Sequence, residues 1–251
     1  MMRSPKRFPV PLVHINETNS TNNYLQALCA RQQTEEFTTV VADFQTSGRG
    51  QRGNSWESAP GMNLTFSTVL YPSALKAREQ FTLSMLIALS VYDTLSTYAE
   101  GFSIKWPNDI LAENKKIGGI LIENTFKNSS EVQSIIGIGL NVNQSQFENL
   151  PQASSLFLLE NKIFDRETML ISIVNQLEFN LKQLPILGET HFWNAYHQIL
   201  FKKDVVSAFE SVAGNRFVGK IQEVTQEGKL AVLLEDDSVQ FFDVKEVKML
   251  Y

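Results

Sequence analysis

"GRGQRGNSWESAPGMN", residues 48–63, opens with the spacing G-x-G-x-x-G. What stands on either side of it decides which fold it belongs to. Before it lies "TTVVADFQ" (Thr38–Gln45), β-branched and bounded by turn residues, which reads as a strand. A dinucleotide fingerprint needs a helix to open directly after the glycines, because the helix N-terminus receives the pyrophosphate. Here Pro60 and Gly61 follow instead, and then "MNLTFSTVLY" (Met62–Tyr71) alternates apolar and polar residues as a strand does. A kinase flap is flanked by strands in this way, yet no HRD and no DFG occurs downstream. What remains is a strand–loop–strand unit with Arg49 and Arg52 among its variable positions. Glycines let a backbone approach a ligand closely, and arginines offer a planar fork of donors to phosphate or carboxylate. From spacing alone, a solvated surface turn fits equally well.

Working outward, "STNNYLQALCA" places Ser20 or Thr21 as a helix cap with Leu25 and Leu28 on one face. Apolar residues recur at helical spacing from Lys76 to Tyr98 and again from Arg166 to Leu184, the second run ending before Pro185. Between these helices "SIKW", "KIGGILIENTF" and "VQSIIGIGLNVN" are strand candidates with little room for further helices. That order predicts an α+β fold, a mixed β-sheet covered by helices. From about Phe201 the chain becomes a series of short strands, "DVVSAFE", "RFVGKIQEV", "KLAVLLE" and "VQFFDV", separated by turns. This reads as a small β domain, a barrel, which divides the chain into residues 1–200 and 201–251. Within that tail "GNRFVGKI" nearly matches a P-loop, but Ile221 stands where a hydroxyl should hold magnesium and no helix follows.

The 251 residues, 43% hydrophobic and 20% charged, suit a globular chain with a sizeable core. A net charge of −5 argues against bulk electrostatic binding of nucleic acid. Cys29 is the single cysteine, so no internal disulfide forms, and His14, His191 and His197 are too scattered to complete a zinc site. The N-terminal stretch is short, broken by Pro9 and Pro11, and makes a poor signal peptide. No apolar run approaches the ~18 residues of a membrane span. A cytoplasmic protein without a membrane partner is the expectation.

"KWPNDILAENKKIGGILIEN" (Lys105–Asn124) reads as a strand, a turn at Pro107, Asn108 and Asp109, and a hairpin partner, with Trp106 in the core. Taken with "STN" at Ser20–Asn22, "GRGQRGNSW", "KKIGGILIE" and "GIGLNVN", in this order from about Thr18 to Asn143, the sequence resembles the biotin protein ligases. The β-rich tail fits the SH3-like domain that closes those enzymes. The resemblance implies that biotin's carboxylate attacks the α-phosphate of ATP, giving biotinyl-5'-AMP and pyrophosphate. A lysine of a biotin carboxyl carrier protein then takes the acyl group and AMP leaves.

By the same pattern Ser20, Thr21, Asn22 and Gln45 hydrogen-bond the neutral ureido ring, where a charge would be costly. Arg49 and Lys116 offset the negative charge of carboxylate and phosphate. Arg49, Gly50, Gln51 and Lys116 belong to the biotin site, and Gly118 and Gly119 leave space there or form a bulge. Arg49, Arg52, Trp56, Asn108, Lys116 and Asn141 are the expected nucleotide residues, with Trp56 either over the ligand or in the core. Asp109 is the candidate neighbour of magnesium, which is expected to bridge phosphate oxygens. The glycine loop becomes a lid over the adenylate. The family's usual loop reads GRGRRGRKW, whereas this chain has Gln51, Asn54 and Ser55. One arginine contact therefore does not carry over, and Arg52 is the candidate to replace it.

Some members repress biotin synthesis through an N-terminal helix-turn-helix. Nineteen residues, three of them proline, precede Ser20, so the sequence predicts a ligase without operator binding. A lipoate–protein ligase and a non-catalytic biotin sensor are the alternatives, and a monomer and a homodimer are both compatible with the sequence.

Overall fold

The structure is a computed structural model describing residues 10–72, 80–126, 132–148 and 150–251, with the side chains of Arg52 and Gln80 outside that description. Strand β1 (Leu12–Thr18) leads through helix α1 (Thr21–Arg31) to β2 (Thr39–Gln45), and the glycine loop joins β2 to β3 (Leu64–Leu70). Helix α2 (Gln80–Leu95) is followed by three strands, β4 (Phe102–Lys105), β5 (Asp109–Ala112) and β6 (Lys115–Phe126), and then by β7 (Val132–Leu140). Helices α3 (Leu156–Glu160), α4 (Arg166–Leu187) and α5 (Glu189–Gln198) come next. The tail contributes β8 (Val206–Ser211), β9 (Arg216–Val224), β10 (Leu230–Leu234), β11 (Val239–Phe242) and β12 (Val247–Leu250).

The fold is α+β, as the strand and helix order predicts. A seven-stranded mixed sheet runs β1-β2-β3-β7-β6-β5-β4, and β1–β2 is its parallel pair, bridged by α1 as a parallel connection requires. The tail is a second, five-stranded antiparallel sheet in the order β11-β10-β9-β8-β12. Among the described residues no ladder joins its edge strands β11 and β12.

Every residue of β3 is buried, because both faces of the sheet are covered. The larger core lies between the sheet and helices α2, α4 and α5, where Phe66, Met85, Ile104, Ile173 and Tyr196 are nearly or wholly inaccessible. On the other face Leu25 of α1 packs with Val40, Val69 and Ile135. That small cluster presses the first turn of α1 against the sheet, and it is what fixes the site described below.

Several elements differ from the sequence reading, the short helix α3 and the last strand β12 among those it did not contain. The helix expected to stop before Pro185 continues to Leu187, with Pro185 in its last turn. Proline there forfeits one helical hydrogen bond, and the chain turns out at Gly188, whose φ of +78° few other residues tolerate. Helix α5 was not anticipated, since its buried side Phe192, Trp193 and Tyr196 spans little more than one turn. Strand β1 also escaped, being a half-buried edge strand just after two prolines. The expected start of α2 at Lys76 lies outside the described residues. No described helix is long and apolar enough to cross a membrane.

Candidate functional site

A cavity of about 280 Å³ opens where the N-terminus of α1, the glycine loop, the β4–β5 turn and the edge of the C-terminal sheet meet. Its α1 end is built from neutral groups. Gln45, the last residue of β2, accepts at Oε1 from the Thr21 backbone N–H (2.8 Å) and from the Thr21 hydroxyl (3.1 Å), and so serves the first turn of α1. Ser20 is the N-cap residue but makes no side-chain cap bond. It is buried and lines the cavity. Ser67 of β3, which the sequence did not single out, donates to Asn22 Oδ1 at 2.6 Å and lies 2.7 Å from Thr21 Oγ1.

Glycines of β7 make the floor. A Cβ on Gly137 would collide with the amide of Asn22, and one on Gly139 would come within 2.8 Å of Trp56 Cζ2 and Nε1. Both side chains therefore lie flat against bare backbone. This is the physical content of "GIGL", and it could not be seen before α1 and the loop were in place.

The other end is cationic. Lys116 Nζ pairs with Asp109 Oδ1 at 2.6 Å and lies 5.8 Å from the Trp56 ring. Gly119 faces the same ammonium, where a Cβ would stand 3.5 Å from Nζ. Lys105 approaches the other oxygen of Asp109 at 3.6 Å, with the Tyr251 ring 5.3 Å away. Burial pushes the Lys105 ammonium below its ordinary range, and Asp109 partly restores it. Arg49 reaches across the mouth to Glu123 (2.8 Å) and Asn23 (2.7 Å). Among the described lining residues Arg49, Lys105, Lys116, Lys245 and Lys248 are cationic and Asp109 alone is acidic. A chain of net charge −5 thus carries a locally basic cavity.

The loop itself is a folded hairpin. Trp56 N–H donates to Gly48 O (2.9 Å), Gly50 N–H donates to Asn54 O (2.7 Å), and Gln51–Gly53 form a 3-10 turn. Gly50, Gln51 and Trp56 line the cavity, and the Arg52 side chain lies outside the described residues. Asn108 lines it too, but its amide is committed to Ile120 O at 2.7 Å, bracing the β4–β5 turn against β6. Two candidates stand apart from the cavity lining. Gly118 abuts Leu140 beside the β5–β6 register shift, so there the space serves packing. Asn141 follows the end of β7 and donates to Ser154 O at 3.0 Å.

Asp109 does not suit a protein-held magnesium. Its carboxylate is bracketed by two ammonium groups, and the described residues contain no group of three potential metal ligands.

Removing that carboxylate has a calculable direction. In Asp109→Asn, burial acts on Lys105 with one counter-charge fewer, so its titration moves to still lower pH. A lysine depressed on folding destabilises the fold while it is charged, and the deficit disappears as pH rises from the depressed value to the ordinary 10.5. The variant is therefore expected to melt below wild type at pH 7 and to close the gap by pH 10. An equal gap at both pH values would show that Asp109 does not set the Lys105 charge.

A cavity with neutral hydrogen-bonding groups at one end and cations at the other matches in charge and hydrogen bonding a molecule with an uncharged polar head and an anionic tail. The model of the biotin/lipoate A/B protein ligase family matches residues 15–141. The chain belongs to this family. Among curated relatives, the bifunctional ligase/repressor BirA of Bacillus spizizenii is 33% identical over 195 residues, covering 74% of this chain and 59% of that one. The biotin–[acetyl-CoA-carboxylase] ligase of Mycobacterium tuberculosis is 30% identical over 174 residues, covering 67% and 63%. This chain thus spans less than two thirds of the length of either. The biotin protein ligase of Aquifex aeolicus, solved in complex with biotin and ATP, superposes with a TM-score of 0.79 at 26% identity, covering 95% of this chain and 98% of that one. The ligase-family match ends at Asn141, while the cavity also draws on Val247, Lys248 and Met249 of the tail. Trp106 secures that tail by donating to Gly228 O at 2.9 Å.

Proposed function

We propose that this chain is a biotin–protein ligase. It activates biotin with ATP as biotinyl-5'-AMP and passes the acyl group to a lysine of a biotin carboxyl carrier protein or domain. The observation that carries the reading is the division of one cavity into a neutral end at Thr21, Asn22 and Gln45 and a cationic end at Lys105 and Lys116. Relatives bearing the ligase name, and the Aquifex enzyme holding biotin and ATP, support it.

On this reading Ser20, Thr21, Asn22 and Gln45 hold the ureido ring, whose two N–H groups and one carbonyl match amides and hydroxyls. Gly119 and Trp56 let the chain of the acid lie along β6. Lys116 and Arg49 meet the carboxylate and the α-phosphate, lowering the repulsion between two anions and stabilising charge that grows on phosphorus. Lys105, which the sequence offered within "KWPND" but no argument singled out, adds a third cation to that end. A biotin oxygen bonds to phosphorus as the bond to pyrophosphate breaks. In the second half the carrier amine bonds to the acyl carbon, the acyl–phosphate bond breaks to release AMP, and the nitrogen gives up a proton to solvent as the amide forms. Mg2+ accompanies the nucleotide as part of the substrate, held through phosphate oxygens. The hairpin loop shields the reactive acyl phosphate from water.

Exchange of labelled pyrophosphate into ATP, measured with biotin, with lipoate and with neither, tests the first half-reaction. Biotin-dependent exchange, with label from biotin then appearing on a carrier domain, is the expected result. Exchange with lipoate alone would keep the chemistry and overturn the substrate. Tight biotin binding without exchange would make the protein a sensor.

A further inference from the structure

We infer that Glu123 is a positioning residue that ties the neutral end of the cavity to the glycine loop, an inference that rests on the proposed ligase reading. One oxygen, Oε2, accepts from Asn22 Nδ2 at 2.8 Å and from Arg49 Nη2 at 2.8 Å. Asn22 belongs to the first turn of α1 and Arg49 to the loop, so a single carboxylate joins two segments that sequence places 27 positions apart.

On the α1 side the contact sets an orientation. A carboxylate only accepts, so the Asn22 amide must turn its NH2 toward Glu123 and its carbonyl toward the Ser67 hydroxyl, which donates at 2.6 Å. Gly137 leaves room for that amide, which is 3% exposed. The amide therefore presents one remaining N–H and one remaining lone pair in a fixed direction. A glutamine at 123 can offer either a carbonyl or an NH2, and that direction is lost.

On the loop side the contact holds one edge of a guanidinium. Arg49 Nη2 is shared between Glu123 and Asn23 Oδ1 at 2.7 Å, which leaves its other N–H groups for an anion in the cavity. The Arg49 and Glu123 side chains are 41% and 35% exposed, so the pair contributes little to global stability. Its effect is local. It fixes where the loop's cation stands before any ligand arrives. Glu123 lies on the same face of β6 as Gly119 and Leu121, four and two positions earlier, so a strand that lines the cavity also carries the anchor.

The test uses Glu123→Gln, which keeps the shape and removes the charge, together with Glu123→Asp, which keeps the charge and draws it back by one methylene. Hydrogen exchange of loop amides 46–56 in the ligand-free protein is expected to speed up about tenfold in the glutamine variant and less in the aspartate variant. This readout needs no substrate, so it judges Glu123 even where biotin activation fails. In the catalytic assay the glutamine variant is expected to raise KM for biotin and to release adenylate about tenfold faster. Placed on Arg49→Ala, the same substitution should no longer accelerate release, because its route runs through Arg49, while its effect on KM for biotin persists through Asn22. Unchanged loop exchange in both variants overturns the inference. So do release effects of Arg49→Ala and Glu123→Gln that simply multiply. Wild type without biotin-dependent exchange but with faster loop exchange in the variants would sink the ligase reading and leave the Glu123 anchor standing.

Discussion

Lys116→Ala is expected to lower biotin-dependent pyrophosphate exchange by about 10²–10³-fold, with most of the loss in kcat. The other two cations argued for this end, Lys105 and Arg49, are each placed differently. The Lys116 ammonium is held by Asp109 at 2.6 Å and faces the bare backbone of Gly119, so it is directed at the cavity. Lys105 approaches Asp109 from the other oxygen and is more deeply buried, and Arg49 is anchored at the mouth by Glu123. Charge that grows on phosphorus during displacement is stabilised most by a cation already in position, because nothing then reorganises in the transition state. The fold should tolerate the change. The side chain is 37% exposed, and Asp109 keeps Lys105 as a partner at 3.6 Å. A melting temperature near wild type with exchange reduced only severalfold would mean that Lys105 or Arg49 carries the phosphoryl step instead.

Much of this site was legible from the sequence because its parts sit in short runs whose local structure is strongly determined. "TTVVADFQ" and "MNLTFSTVLY" have strand composition on both sides of the glycines, and the hairpin between them follows. Lys116 and Asp109 were named from their motifs, and the β5–β6 ladder brings them together, with Leu111 opposite Lys116 and Asp109 opposite Gly119. What the sequence could not give was anything depending on a second element. Gly137 and Gly139 acquire meaning only from Asn22 and Trp56, which arrive from α1 and the loop. Asn141 was named from the family pattern alone; β7 ends at Leu140, and Asn141 donates to Ser154 O, outside the cavity lining. Glu123 shares a strand face with Gly119 and Leu121 by period-two alternation, and it stands at the end of the quoted motif "KKIGGILIE". The last strand, β12, pairs with β8 from the far side of the tail, and that non-local ladder is what brings Lys248 to the cavity.

Gly137→Ala is expected to damage the neutral end more than any single polar deletion there. The added Cβ would sit 3.1 Å from Asn22 Cγ and closer still to Oδ1. Asn22 cannot swing aside cheaply, since Ser67 holds its carbonyl at 2.6 Å and Glu123 holds its amino group at 2.8 Å. Nor can α1 lift as a unit. Leu25, one turn on, is wholly buried against Val40, Val69 and Ile135, and Gln45 fixes the first turn through Thr21. The strain must therefore appear either as a broken Asn22 contact or as a displaced helix end. Overpacking of this kind costs about 1–3 kcal/mol, read as a lower melting temperature, and either route misplaces the groups proposed for the ureido ring. KM for biotin should rise by about ten- to a hundredfold, since a buried polar group left unpaired costs ~1–3 kcal/mol, while KM for ATP moves little. Adding Asn22→Ala to Gly137→Ala separates the two effects. With the clashing amide gone, the double variant should recover most of its melting temperature, yet biotin affinity should stay poor because the amide itself is missing. Recovery of both together would mean that Asn22 only fills space above Gly137, and that the neutral end is read by Ser20, Thr21 and Gln45.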